Sequence, residues 1–333
     1  MMRNPRCGGL SRLKREYGQR AVCWWPFLSA VLAVVPELLL PDSPDHPPVN
    51  RPYFFYLLTA AAAYFFAAAL AAHAHAGFRA RLEGKAYFYG ASLLFLNILN
   101  VVTDKLAALP PIFFPSPDRI LSVLAQDWRY LLADCLGSSA VLLFSGFFSG
   151  ALCGIVTGIA VGFSKKAAYW VNPLIRILGP IPPTAWIPIV LVAFPTTFWG
   201  GVFLIALSVW FPTTVMTSSG ILNVQNAYFE VSSTLGAGRW FQIFRVGIPA
   251  SMPFIFIGLF TGTCSSFITL MTAEMVGVKN GIGWYINWQR EMLSYANVYA
   301  GLIIIAVSFY SLITLLFKLR DHLLVWQKGV IKW

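Results

Sequence analysis

The chain has 333 residues, of which 58% are hydrophobic, 16% aromatic and only 11% charged. Soluble globular domains carry about 25% charged residues, and a mean hydropathy of +0.68 leaves too little polar surface to cover a globule of this size. This excludes a soluble enzyme, a disordered chain and a secreted disulfide scaffold, and fits an all-α polytopic membrane protein. The net charge of +11 does not indicate nucleic acid, because the basic residues gather in loops between apolar segments. The five cysteines (Cys7, Cys23, Cys135, Cys153, Cys264) show no CxxC or metal spacing and read as small packing residues.

A bilayer-crossing helix needs about 20 mostly apolar residues. Eight segments qualify, at roughly 24–40, 53–73, 86–107, 136–163, 173–195, 199–219, 251–272 and 296–317. The first carries Pro36 and Glu37 and follows Arg12, Lys14, Arg15 and Arg20. No small-residue cleavage site follows it, so it reads as a retained signal anchor. Lys and Arg bias sets the orientation. Arg79, Arg81, Lys85, Lys165, Lys166, Arg239, Arg245, Lys318, Arg320, Lys328 and Lys332 fall on the N-terminal side of the membrane, whereas Asp42, Asp45, Asp104, Asp118, Asp127 and Asp134 fall on the other. Both termini are therefore expected in the cytoplasm.

His73 and His75 lack a third ligand nearby and read as a headgroup-level pair, and Asp104 and Lys105 as anchors at an external helix end. The proline-rich run Leu109–Asp118 cannot be helical, and an interfacial helix is expected after it, around Asp118–Trp128. Gly146, Gly150, Gly154, Gly158 and Gly162 recur every four residues, a stripe that lets a neighbouring helix approach closely. It serves either as a sliding surface or as static packing, and packing is the simpler reading.

Residues 220–249 are too polar to span, yet they hold Tyr228, Phe229, Trp240, Phe241 and Phe244. The pattern predicts a helix from about Asn226 to Leu235, a break at Gly236-Ala237-Gly238, and a second helix from Arg239 to about Gly247 that places Trp240, Ile243, Phe244 and Gly247 on one face. Pro249 then ends it and starts the next span. Such aromatic helices either lie in the lipid interface or dock a soluble partner; the pattern alone leaves both open.

In the segment 251–272, Thr261, Ser265, Thr269 and Thr272 share one helical face. They either line a pathway and donate to an oxyanion, or bond back to their own helix. Glu274, just beyond, reads as a structural or gating acid, with Lys279 or Arg290 as its candidate cation.

The order Glu230-Val-Ser, three residues, Gly236, nine residues, Val246-x-Ile248-Pro249 resembles the Glu-Ala-Ala loop of ABC importer permeases, with Val231 and Ser232 in place of the two alanines. The stretches Leu109–Pro117, Pro182–Pro188, Ala273–Met275 and Gly281–Gly283 are similar to the nitrate, sulfonate and taurine branch of that family. The resemblance, over about residues 86–325, implies a type I importer transmembrane domain with a six-helix core at 86–333. Residues 1–85 would then hold a basic N-terminus and two accessory helices. It implies a bacterial inner-membrane permease for a small anion such as nitrate, a sulfonate or a taurine-like compound. Its partners would be two cytosolic ATPases, a second permease copy (a homodimer) and an external binding protein, besides the bilayer itself. Glu230, Gly236, Ala237, Arg239, Phe244 and Pro249 would belong to the ATPase-coupling loop, and Thr261, Ser265, Thr269, Thr272 and Glu274 to the translocation pathway.

No cofactor is expected in this chain. It has no GxxxxGK[ST] phosphate loop, because the one Gly-Lys pair, Gly84-Lys85, has Arg79 where the first glycine is required. ATP and Mg would be bound by the partner subunits, and the chain itself would not be an enzyme. A secondary carrier would instead need a paired intramembrane charge and an inverted repeat. A membrane scaffold would need the docking loop but no polar pathway, and a membrane enzyme would need convergent histidines or acids.

Overall fold

The computed structural model describes residues 22–41, 52–278 and 280–325. The basic N-terminal cluster, Asp42, Asp45, Lys279, Lys328 and Lys332 lie outside them. Among the described residues every regular element is helical: α1 Trp25–Leu39, α2 Tyr53–Ala74, α3 Ala76–Asn100, α4 Pro117–Gln126, α5 Gly137–Phe163, α6 Lys165–Leu178, α7 Ile187–Ala193, α8 Thr197–Leu222, α9 Asn226–Thr234, α10 Ile248–Val276, α11 Ile282–Glu291 and α12 Tyr295–Leu323. Six helical runs are long and apolar enough to cross a membrane, and a seventh is added if the bent pair α6 and α7 counts as one span.

The eight expected spans are thus not all present as spanning helices among the described residues. Helix α1 has 15 residues, about 22 Å of rise, short of the roughly 30 Å hydrocarbon core. The expected span at 173–195 is bent by 86° between α6 and α7. Pro180, Pro182 and Pro183 explain the bend, since proline removes ladder donors and pushes its predecessor out of helical geometry.

The chain divides into two compact units. The first runs up to Trp128 and includes Met292–Ala300. Its centre is Ala30, Ala33, Phe54, Leu58 and Leu93, where α1, α2 and α3 meet. Gly90 lets α1 approach, because a Cβ there would lie 2.5 Å from the Trp25 ring. The Asp118 carboxylate accepts the Phe54 N–H at 2.6 Å and so ties α4 to the start of α2.

A buried polar cluster locks α1 onto α3. Asn97 Nδ2 donates to the Ala33 carbonyl at 2.7 Å, and Asn100 Nδ2 to Glu37 Oε1 at 2.5 Å. Lys105 Nζ lies 3.2 Å from Glu37 Oε2, with the two side chains 4% and 10% exposed. Asp104 Oδ2 is 4.0 Å from the same nitrogen. Lys105 is therefore half of an ion pair with a residue of α1 and not a solitary anchor. Removing one member of a buried pair costs about 3–5 kcal/mol, whereas replacing both with apolar groups is often neutral. Lys105→Met should accordingly lower thermal stability in detergent sharply, and adding Glu37→Leu should restore most of it. Glu37→Leu alone should be milder, because Asp104 remains beside Lys105.

The second unit holds Arg129–Glu291 and the chain from Gly301 onward. Its spine is α5 against α8. The five stripe glycines face Ile205, Ala206 and Val209, Thr213, Thr217 and Ile221 in turn. A Cβ at Gly150 would meet the Ala206 carbonyl oxygen at 2.4 Å. The obstacle is backbone, so it cannot move aside as a side chain would. Leu142, Leu143, Ala151, Val202, Ile205, Val209 and Leu270 form the shared core, and Gly258 and Gly262 bring α10 against α8 in the same way.

Candidate functional site

The loop between α8 and α10 is built by local backbone chemistry. Helix α9 stops in a Schellman arrangement, in which Ala237 N donates to the Ser232 carbonyl at 3.0 Å and Gly236 N to the Ser233 carbonyl at 2.9 Å. Gly236 has φ +79 and nothing within 4 Å of a hypothetical Cβ, so the glycine answers a conformational need and not a spatial one. Gly238 returns to extended geometry, and the chain turns helical again at Arg239.

From there the helix does not end at Pro249. It runs unbroken from Arg239 to Val276, with a π-helical stretch at Gln242–Gly247. Proline lacks an N–H and its ring crowds the carbonyl four residues back, and a π register immediately before it accommodates both defects. The wider register also splits the expected common face. Ile243 and Gly247 turn inward, while Trp240 and Phe244 stay 73% and 60% exposed and stack on each other at 6.0 Å.

Phe163, the last residue of α5, is the anvil under this loop. Its carbonyl has no partner within its own helix, and Arg239 Nη2 donates to it at 3.2 Å. Its ring meets Phe229 edge-on at 6.0 Å. It also fills the place of the missing side chain at Gly247, where a Cβ would come within 2.3 Å of the ring. Gln242 Nε2 joins the two arms of the loop by donating to Ser233 Oγ at 2.7 Å. Sequence reasoning missed Phe163 and Gln242. The signal for Phe163 was its place at the end of an apolar run, just before Ser164-Lys165-Lys166. Glu230, Tyr228, Val231, Leu235, Trp240, Phe241 and Phe244 make up the outward surface, all of them exposed. Ala237 is half-buried behind them.

At the other end of the same long helix, Glu274 is 1% exposed. Ser139 Oγ donates to its Oε1 at 2.7 Å and Gly283 N to its Oε2 at 2.8 Å. Ile282 N in turn donates to Ser139 Oγ at 2.9 Å. Of the two expected cations, Lys279 lies outside the described residues and Arg290 donates to Asn287 Oδ1 at 2.6 Å; among the described residues, neutral donors hold the carboxyl group. Gly281, at φ +116, passes so close that a Cβ there would sit 2.3 Å from Glu274 Oε1. Glu274 is thus a clasp that fastens α11 onto α5 and α10, and it also lines a cavity of about 450 Å³.

The hydroxyl face of α10 resolves in a similar way. Thr261, Thr269 and Thr272 each donate to the carbonyl four residues back, at 3.0 Å, and Thr269 is 2% exposed. These three threonines therefore bond back to their own helix, the second of the two readings of this face. Ser265 is half-buried. Buried hydroxyls lie on α8 (Ser208, Thr213, Thr214, Thr217, Ser218) as well as on α10 (Ser251, Thr263, Ser266, Thr269); Thr214 Oγ1 meets Thr157 Oγ1 of α5 at 2.8 Å, and Trp210 Nε1 donates to Thr157.

A family model described as the inner membrane component of binding-protein-dependent transport systems matches residues 150–324, just over half of the chain. The match contains the Gly236 loop, Phe163 and Glu274. The chain belongs to this family. Over 236 residues this permease chain is 28% identical to the taurine transport system permease protein TauC of Escherichia coli (strain K12), covering 68% of this chain and 84% of that protein. It is 31% identical to the bicarbonate transport system permease protein CmpB of Synechococcus elongatus, covering 59% and 68%. With the nitrate import permease protein NrtB of Synechocystis it shares 33% identity over 51% of this chain and 60% of that protein. Among solved structures, an inward-facing form of the MetNI methionine ABC transporter aligns with a TM-score of 0.50 at 16% identity. That alignment covers 60% of this chain and 98% of that one, and at this identity the likeness concerns the fold. The permease thus sits among ABC permeases whose named solutes are small anions and taurine.

Proposed function

We propose that this chain is the transmembrane permease subunit of an ATP-driven importer, with both termini and the Gly236 loop on the cytoplasmic side. The observation that carries the reading is the exposed ridge Tyr228, Trp240, Phe241 and Phe244, braced on Phe163 through Arg239. Aromatic residues and Arg at a rigid, exposed surface are what interface anchors consist of. Two cytosolic ATPases seat this ridge and bring the ATP and Mg that the chain has no loop to hold, a second copy completes the pore, and an external binding protein delivers the solute. That solute is a small anion of the nitrate, bicarbonate, sulfonate or taurine type. In this reading the transmembrane domain spans residues 86–333 and residues 1–85 are accessory.

The two features of α10 suggest how force is transmitted. The run Arg239–Val276 has 38 residues, about 57 Å of helix, with the docking ridge at its start and the clasp on α11 at its end. A tilt imposed at one end therefore reaches the far side of the membrane along a single rod. Affinity purification of the tagged chain in mild detergent, followed by mass spectrometry, tests the proposal. A stoichiometric cytosolic ATPase is the expected companion; a chain that purifies alone and still moves solute is a secondary carrier instead.

A further inference from the structure

Outside the region matched by the family model, the first unit contains an open groove of about 630 Å³ between α2 and α3. Arg81, Lys85, Tyr64, Phe65, Phe78 and Tyr89 are among its lining residues. Arg81 and Lys85 are one helical turn apart on α3 and both are exposed. The nearby acid, Glu83, pairs with Arg79 at 3.7 Å. No described acid pairs with Arg81 or Lys85, so two positive charges face the same space unneutralised. Gly84 lies between them with nothing within 4 Å of a hypothetical Cβ, which keeps the mouth of the groove open. Toward the middle of α3 the lining changes from charge to aromatic surface. There the rings of Phe65 and Tyr89 lie 5.6 Å apart, and Tyr64 packs on Phe65 at 5.2 Å.

We infer that this groove is a binding site for one anionic phospholipid. From Arg81 inward, the ordering along α3 matches the ordering along a lipid, with Phe78 on the loop side of the charges. Arg81 and Lys85 hold the phosphate at the helix end, where headgroups lie, and the aromatic wall one to two turns further in takes the upper part of an acyl chain. A basic pocket between membrane helices selects for an anionic headgroup, and Arg and Tyr add hydrogen-bond donors that a phosphodiester can accept from. The site requires neither an ATPase nor a substrate, so it stands independently of the importer reading.

Thermal unfolding of the purified full chain, titrated with phosphatidylglycerol or with phosphatidylcholine in mixed micelles, provides the test. Phosphatidylglycerol should raise Tm saturably, and phosphatidylcholine should not. The double variant Arg81→Gln/Lys85→Gln should bind phosphatidylglycerol about thirty-fold more weakly, the scale expected for two basic residues beside an anionic headgroup. Lys165→Gln/Lys166→Gln, which removes the same charge from a different segment, should titrate like the unaltered chain. An equal response to both lipids, or an unchanged response in the Arg81/Lys85 variant, would overturn the assignment. Inorganic phosphate reproducing the full shift would also overturn it, by showing a free-anion site.

Discussion

A Gly236→Pro chain should reach the membrane, keep its thermal stability and import nothing. Proline fixes φ near −65° and has no N–H, but this position needs φ +79 and uses its N–H to cap the Ser233 carbonyl. Nothing packs against the site of the missing Cβ, so the damage stays within the loop. It redirects the ridge without disturbing the α5–α8–α10 spine. Asparagine tolerates the left-handed region far better than other residues do, so Gly236→Asn should keep most of the uptake. Gly236→Ala should fall between the two, at a local cost of about 1–2 kcal/mol. ATP-driven uptake of labelled solute into vesicles containing the reconstituted complex measures all three. Full activity in the proline variant would detach the loop from coupling.

The second large effect is expected at the opposite end of the same helix. Glu274→Ala strips the acceptor from Ser139 Oγ and from Gly283 N, both buried. A buried group left without its partner costs about 1–3 kcal/mol, so a loss of about 3 kcal/mol is expected, together with loosening of α11. Glu274→Gln should be much milder. Its carbonyl oxygen can accept from Gly283, while its amide donates to Ser139 Oγ, which has a second lone pair beside the one used by Ile282 N. Gly281→Ala should reproduce the alanine phenotype from the other side, because the new methyl collides with the carboxylate at a φ that disfavours any side chain. Hydrogen exchange over Ile282–Glu291 separates these outcomes. If Glu274→Ala and Glu274→Gln protect that segment equally, the clasp does not hold it.

The parts legible in the sequence were those set by short-range rules. The break at Gly236-Ala237-Gly238, the helix after the proline run and the glycine stripe all follow from residue type at spacings of a few positions. The rest depended on contacts that no local pattern carries. Glu274 invited Lys279 or Arg290 because an acid at an entry for anions repels them unless paired, yet its partners among the described residues are a serine 135 residues away and a backbone amide. Lys105 looked like an anchor because Glu37 is remote in sequence. The threonines of α10 satisfied the helical periodicity of a pathway face, but periodicity does not say where a hydroxyl proton points. Pro249 looked like a stop because the rule for an α register was applied where the chain adopts a π register.

The polar lock between α1 and α3 bears on how the chain is made. A ribosome releases Glu37 well before its amide partner Asn100, which follows 63 residues later. Helix α1 is short and carries Glu37 in its last turn, where an unpaired acid still opposes insertion, by less than the cost at a helix centre. On its own, then, α1 has little reason to leave the translocation channel for lipid. The arrival of Asn100 and Lys105 removes that penalty, so the N-terminal helices should enter the bilayer as one set, timed by the last of them to be synthesised.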